Sequence, residues 1–191
     1  MKLLLLARHG QSLFNVDDVV NGDPALDRGL SALGLQEARA LGLQVGAVAI
    51  DLCVVSEFPR AQQTARLALD GRDAIPTHVD PELNDIRIGA LEGDTLAAYR
   101  AWKHSHTRAD AFPNGESLDD AAARYADAYE RLLQNDAGTI LCVCHEIPVR
   151  YAVNAAAGSD DLDAPVHDVA NATPYVFDEA GLRRAVDRLR S

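Results

Sequence analysis

The residues best suited to chemistry in this sequence are two histidines, each set among groups that handle anions. His9 follows Arg8 and precedes Gly10 in Leu6-Ala7-Arg8-His9-Gly10-Gln11-Ser12-Leu13-Phe14-Asn15. A neutral imidazole attacks phosphorus when one ring nitrogen is free and the other donates to a fixed acceptor. The neighbouring guanidinium offers a two-pronged fork for phosphate oxygens, and glycine lets the backbone turn or approach closely. His145 sits in Val143-Cys144-His145-Glu146-Ile147-Pro148-Val149-Arg150, and Arg60 in Val55-Ser56-Glu57-Phe58-Pro59-Arg60-Ala61-Gln62-Gln63-Thr64-Ala65. Plainer readings stand beside these. Arg60 fits a surface ion pair, His145 a satisfied core histidine, Asp85 a turn residue after Asn84, and Thr64 a packing residue one turn beyond Arg60.

These residues need elements to position them. The apolar run Leu3–Ala7 predicts a strand buried on both faces. Ser31 is a candidate cap for a helix from Ala32 to Val45, with Leu33, Leu41 and Val45 on its apolar stripe. Ile50–Val55 predicts a second buried strand. Ser56 then reads as the cap of a helix with Pro59 in its first turn. Thr77–Val79 reads as a short strand, Asp94–Lys103 as a short helix, and His104–Gly115 as irregular. Ser117 and Asp120 are spaced as a capping box for a helix to Gln134. Thr139–Cys144 predicts another strand, and Pro148 an early position in a helix to Ala156. Pro174–Phe177 and Leu182–Val186 flank Asp178-Glu179-Ala180-Gly181 and read as a closing hairpin. Strands alternating with helices predict an α/β domain with a mainly parallel sheet. Its ligand crevice lies beyond the carboxyl ends of the strands, where Arg8, His9, Arg60 and His145 all fall.

Composition narrows the function classes. The chain has 191 residues, 48% hydrophobic, and a formal charge of −11. That suits one domain, 1–191, with a sizeable core. The acidic balance argues against nucleic acid or an anionic membrane as partner, so an anionic substrate needs a local cluster of arginines. No apolar stretch reaches the ~20 residues of a membrane span. The four leucines at the start are too short a run for an export signal. Cys53, Cys142 and Cys144 form no stapling pattern, fit small core residues, and point to a reducing, cytoplasmic setting. No ligands cluster at zinc spacing, so no metal is expected. His104, His106 and the basic tail Arg183, Arg184, Arg188 and Arg190 read as solvated.

The motifs together resemble the histidine phosphatase superfamily, the phosphoglycerate mutase-like proteins. The Arg8-His9-Gly10 tripeptide resembles its signature. Asn21-Gly22-Asp23-Pro24-Ala25-Leu26, running on through Leu30-Ser31 to Gly34, resembles its glycine-containing turn and helix start. The Arg60 segment resembles its second-arginine motif. Leu83-Asn84-Asp85-Ile86-Arg87-Ile88-Gly89-Ala90-Leu91-Glu92-Gly93 resembles its acid loop, Pro113-Asn114-Gly115-Glu116-Ser117 its Gly-Glu-Ser element, and the His145 segment its second-histidine motif. The resemblance spans nearly the whole chain in the family's order. It implies a three-layer α/β/α sandwich with a mainly parallel central sheet. It also implies that His9 becomes phosphorylated, with Arg8, Arg60 and His145 around the phosphoryl group and Asp85 as proton donor. Asn15, Gly22 and Glu146 are further candidates for phosphate or substrate contact. The lid of such pockets comes from the segment holding His104 and His106.

Two positions depart from the family pattern. The acid is commonly Glu, and Asp85 is one methylene shorter, a displacement of ~1.5 Å at fixed backbone, which matters for proton transfer. The second histidine is commonly followed by Gly, and here by Glu146, which is favoured at a helix start but repelled by phosphate. Glu146 either points away, reads a hydroxyl or cationic part of the substrate, or shares the acid role. The expected activity is hydrolysis of a small-molecule phosphomonoester without a cofactor, and a homodimer remains compatible. A mutase is the alternative. The chain is short for one, and Arg100, Lys103 and Arg108 do not form the adjacent arginine pair that mutases usually carry. A non-catalytic phosphate-binding module is a third reading, disfavoured because His9 and both arginines are retained.

Overall fold

The computed structural model describes residues 1–164 and 166–191. Five strands, β1 (Leu3–Arg8), β2 (Leu52–Val55), β3 (Thr77–Val79), β4 (Thr139–Cys144) and β5 (Pro174–Asp178), form one sheet in the order β3-β2-β4-β1-β5. All neighbours run parallel except β5, which pairs antiparallel with β1. The predicted α/β class and mainly parallel sheet are what the structure has.

The strand sequences are continuously apolar because both faces are covered. Leu4, Leu6, Val54, Ile140, Cys142 and Cys144 face one core, packed by α5 (Leu118–Gln134), α6 (Glu146–Ala156) and α7 (Glu179–Leu189). Leu5, Ala7, Cys53, Val55, Leu141 and Val143 face the other, covered by α2 (Ala32–Gln44) and α3 (Pro59–Ala68). The period of two along each strand therefore divides the core into two and gives the three layers. The three cysteines are free and buried in these cores. Two shorter helices, α1 (Leu13–Val16) and α4 (Leu96–Ser105), lie on the pocket side. No helix among the described residues is long and apolar enough to cross a membrane.

Four local expectations need correction. Leu182–Val186 is not a hairpin strand. Asp178 caps α7, accepting from the Gly181 amide at 2.6 Å, and Leu182, Ala185, Val186 and Leu189 are buried at helical spacing. The 3.6 period of those four residues outweighs the turn-like Asp-Glu-Ala-Gly. Leu33 is 49% exposed, because α2 turns Gly34, Ala38 and Leu41 inward. Ser56 does not cap α3. Phe58 occupies that position without a side-chain cap, and the Ser56 hydroxyl is used elsewhere. The capping box of Ser117 and Asp120 forms as read. Helix α4 extends through Ser105, so His104 is helical, and the irregular stretch begins after it.

Candidate active site

The parallel register sets Arg8 opposite Cys144, so the chain leaving β1 and the chain leaving β4 deliver His9 and His145 to one spot. Their ring centroids lie 5.2 Å apart. The His9 amide donates to the Cys144 carbonyl at 2.9 Å, and Asn171 Nδ2 holds the His9 carbonyl at 2.7 Å. Gly10 is required next, because a Cβ there would fall 2.5 Å from the Gly34 carbonyl oxygen. The Gly10 amide donates to Thr64 Oγ1 at 3.0 Å, and that hydroxyl donates to the Arg60 carbonyl at 2.7 Å. Thr64 thus ties the His9 loop to the helix carrying Arg60, rather than only packing.

Hydrogen bonding selects the His9 tautomer. Nδ1 lies 2.7 Å from the Gly10 carbonyl oxygen, which only accepts, so Nδ1 carries the proton and Nε2 presents a lone pair. Arg60 Nε donates to that Nε2 at 3.0 Å. Burial, then the charges of Arg60 and Arg8, hold the imidazolium pKa well below the ordinary histidine value, against a raising effect from the Gly10 carbonyl. His9 is therefore a buried, neutral base whose unprotonated Nε2 faces the guanidinium of Arg60.

Arg60 is the hub. Pro59 and Arg60 open α3, where the helix end favours anions. Its Nη1 donates to Asn21 Oδ1 at 2.5 Å, and its Nη2 lies 3.3 Å from His145 Nδ1 and 3.5 Å from Asp85 Oδ2. Asp27, whose side chain is fully buried, pairs with Arg60 Nη1 at 3.2 Å and accepts its amide at 2.7 Å. The surface ion-pair reading of Arg60 does not hold.

His145 is fully buried at the start of α6. Arg60 only donates, so His145 Nδ1 accepts, and Nε2–H donates to Ser56 Oγ at 2.8 Å. The Phe58 ring packs edge-on against it at 4.5 Å. Burial and the charge of Arg60 depress its pKa well below the ordinary value.

Asp85 turns its Oδ2 inward, 3.6 Å from His145 Nδ1, while Oδ1 accepts the Ile86 amide at 3.0 Å. Burial pushes its pKa above the usual carboxylate range, outweighing Arg60, which pulls the other way. Arg124 on α5 holds the backbone on this side of the site, donating to the carbonyls of Glu82, Asn84 and Asp85 at 2.8, 3.0 and 3.3 Å. Glu116 anchors Arg124 at 2.5 Å and accepts the Arg87 amide at 2.9 Å.

Seven of the eight residues expected at the site, all but His145, line one cavity of about 990 Å³. His145 stands behind Arg60. Asn15 uses Oδ1 in the capping box of α1, accepting from Ser12 N at 3.0 Å. Gly22 lines the cavity, but its amide is already given to Glu92 at 2.7 Å, and a Cβ there would strike the Ile86 carbonyl at 2.2 Å. Glu146 does not point away. It bridges Arg8 at 2.9 Å and Arg150 at 3.1 Å across the cavity wall. Arg8 also donates to the Val169 carbonyl at 2.9 Å.

Sequence reasoning missed Asp27, Ser56 and Arg124. Asp27 lies between turn residues with no periodic signal, and Ser56 is spaced like a helix cap. Arg124 sits on an amphipathic helix far along the chain from the loop it holds.

A neutral imidazole at a parallel strand end, flanked by two arginines and a carboxyl of raised pKa, suits phosphoryl transfer. The family model for the histidine phosphatase superfamily (branch 1) matches residues 4–191, and the chain belongs to that family. It is 38% identical over 194 residues to a 2,3-bisphosphoglycerate-dependent phosphoglycerate mutase from Methylobacterium sp. (strain 4-46), covering 92% of this chain and 90% of that protein. Among solved structures it resembles the alpha-ribazole phosphatase from Shigella flexneri, with TM-score 0.80, 29% identity, and 92% and 90% of the two chains covered. It also resembles the mycobacterial glucosyl-3-phosphoglycerate phosphatase, with TM-score 0.67, 29% identity, and 81% and 78% covered.

Proposed function

We propose that this chain is a phosphomonoester hydrolase acting through a phosphohistidine on His9, as one domain spanning residues 1–191 in the cytoplasm. The observation that carries the reading is the fixed neutral tautomer of His9, with Nε2 at the guanidinium of Arg60. Nε2 attacks phosphorus, and the P–O bond to the leaving group breaks. Arg8 and Arg60 receive the phosphoryl oxygens, the Arg60 Nε–H turning its hydrogen bond from Nε2 to one of them while the guanidinium stays protonated. His145, held through Ser56 and Arg60, steadies the inner side. Asp85, whose raised pKa favours the protonated form, gives its proton to the departing alkoxide. Water then attacks phosphorus as the P–Nε2 bond breaks, the Asp85 carboxylate takes the water's proton, and inorganic phosphate leaves with His9 neutral again.

A mutase is the second reading, favoured by the 38% identity to a protein of that name. Length does not separate the two, because this chain covers 90% of that relative. The wall opposite the phosphoryl end favours hydrolysis. Only residues 106–117 join α4 to α5, without an adjacent arginine pair, and Lys103 and Arg108 on that wall are bound to the chain's own Asp163. The solved phosphatases of similar fold support the same side. Phosphate release from p-nitrophenyl phosphate, with His9→Ala as blank, tests the reading. Failure to release phosphate, together with transfer between phosphoglycerates, replaces it with the mutase. Release that survives His9→Ala removes the phosphohistidine step.

A further inference from the structure

Charge is distributed unevenly over the cavity. Its lining carries seven carboxylates against six guanidinium or ammonium groups. Arg8, Arg60 and Asp85 stand at the phosphoryl end, so the rest of the wall holds more negative than positive charge. Three of the four cations there, Lys103, Arg108 and Arg150, are also committed, and Arg100 has no ion pair among the described residues. Asp163 lies 2.7 Å from Arg108 Nη1, 2.9 Å from Arg150 Nη2 and 3.4 Å from Lys103 Nζ. Glu146 takes the other side of Arg150 and one prong of Arg8. Asp160, Asp161 and Asp168 line the same rim. Between these groups the wall is apolar, with Ile86, Ile88, Leu96 and Ile147. The Tyr99 hydroxyl is buried without a hydrogen-bond partner among the described residues.

We propose that Asp163 is a specificity-determining residue that selects phosphomonoesters of uncharged alcohols and rejects those whose leaving group carries a carboxylate. This rests on the hydrolase reading above and deepens it. Asp163 occupies, as a built-in carboxylate, the three cations that would otherwise receive an acidic leaving group. A second carboxylate there meets Asp163 and Glu146 at close range, and the three cations grouped around Asp163 are already neutralised. Rejection by like charge is a general route to specificity. An uncharged alcohol meets no such repulsion and finds the apolar contacts of Ile86, Ile88, Leu96 and Ile147.

Glycerol 3-phosphate and 3-phosphoglycerate test this, because they differ only in a hydroxymethyl group against a carboxylate. Each is titrated as a competitor of p-nitrophenyl phosphate hydrolysis by the whole protein. The wild type is expected to bind glycerol 3-phosphate about tenfold more tightly than 3-phosphoglycerate. Asp163→Asn should shrink that gap to about threefold or less, or reverse it, and Asp163→Glu should keep it. The ratio of two competitors does not depend on how much of a variant is folded. Equal competition in the wild type, competition by neither ester, or an unchanged ratio in Asp163→Asn overturns the selectivity. Absence of p-nitrophenyl phosphate hydrolysis overturns the hydrolase reading, and the selectivity falls with it.

Discussion

The two ends of the cavity are built on different physical plans. The inner end grows from the sheet. His9 and His145 continue β1 and β4, Arg60 opens the helix after β2, and the contacts are short, buried and mostly to backbone or to each other. Arg60 and His145 side chains are 4% and 0% exposed. The outer wall is assembled from α4, α6 and the segment around Asp163, and its Lys103–Asp163 and Arg108–Asp163 pairs are a quarter to a third exposed, with Arg150 more covered at 11%. Exposed pairs are weak and exchangeable, whereas buried ones are costly to break. The chemistry is thus held on rigid elements while substrate choice is left to a wall that substitution can retune.

The largest effect expected is at the inner end. His9→Ala should lower phosphate release by about ten-thousandfold or more, with a thermal melt close to wild type. A smaller loss means that His9 is not the nucleophile. Arg60→Met should cost about 100–1000-fold in kcat/KM. It also leaves Asp27 buried with only amide donors, a cost of about 3 kcal/mol, which lowers the melting temperature by roughly 6–12 °C. An unchanged melt would mean that the Arg60–Asp27 pair adds nothing to the inner end.

Asp85→Asn and Glu146→Gln compare the ends directly. For an alkyl phosphate, whose alkoxide needs a proton, Asp85→Asn should lower kcat by about 100-fold, and much less for p-nitrophenyl phosphate. Glu146→Gln should change either by less than about tenfold, since it frees Arg8 without removing the acid. The opposite ranking transfers the acid role to Glu146. The pH profile of kcat/KM sharpens the same point. Activity should fall as pH drops through the lowered pKa of His9, because imidazolium has no lone pair. That limb belongs below the ordinary value of about 6.5. Activity should also fall as pH rises through the raised pKa of Asp85, because the proton donor is lost. An acidic limb at or above the ordinary histidine value contradicts the buried, neutral His9.

The smallest effect is expected at Thr64. Thr64→Val leaves the Gly10 amide without its acceptor, at a cost of about 1–3 kcal/mol, with a severalfold loss of activity as the His9 loop relaxes. Full activity would show that the loop is held by Asn171 and the sheet alone.

Much of this was legible beforehand, for stated reasons. Continuous apolar runs marked β1, β2 and β4, because a strand covered on both faces has no polar side. The capping box marked the start of α5. The residues of the inner end could be read because each sits next to a strand end in the chain, so local sequence carries the spatial message. Helix α7 was misread because a turn-like tetrapeptide was weighted above the spacing of Leu182, Ala185, Val186 and Leu189. Ser56 was misread because its spacing suits a cap, while its partner, His145, is 89 residues away.

By itself the sequence determined the α/β class, the strand ends that carry His9, Arg60 and His145, and the neutral-nucleophile chemistry those residue types allow. Only the tertiary structure decided that Asp27 and Ser56 orient Arg60 and His145, that Arg124 holds the loop of Asp85, and that Asp163 claims Lys103, Arg108 and Arg150. The division is physical. Periodicity and capping are local and leave a trace within a few residues, whereas an ion pair between distant segments exists only once the sheet has brought them together.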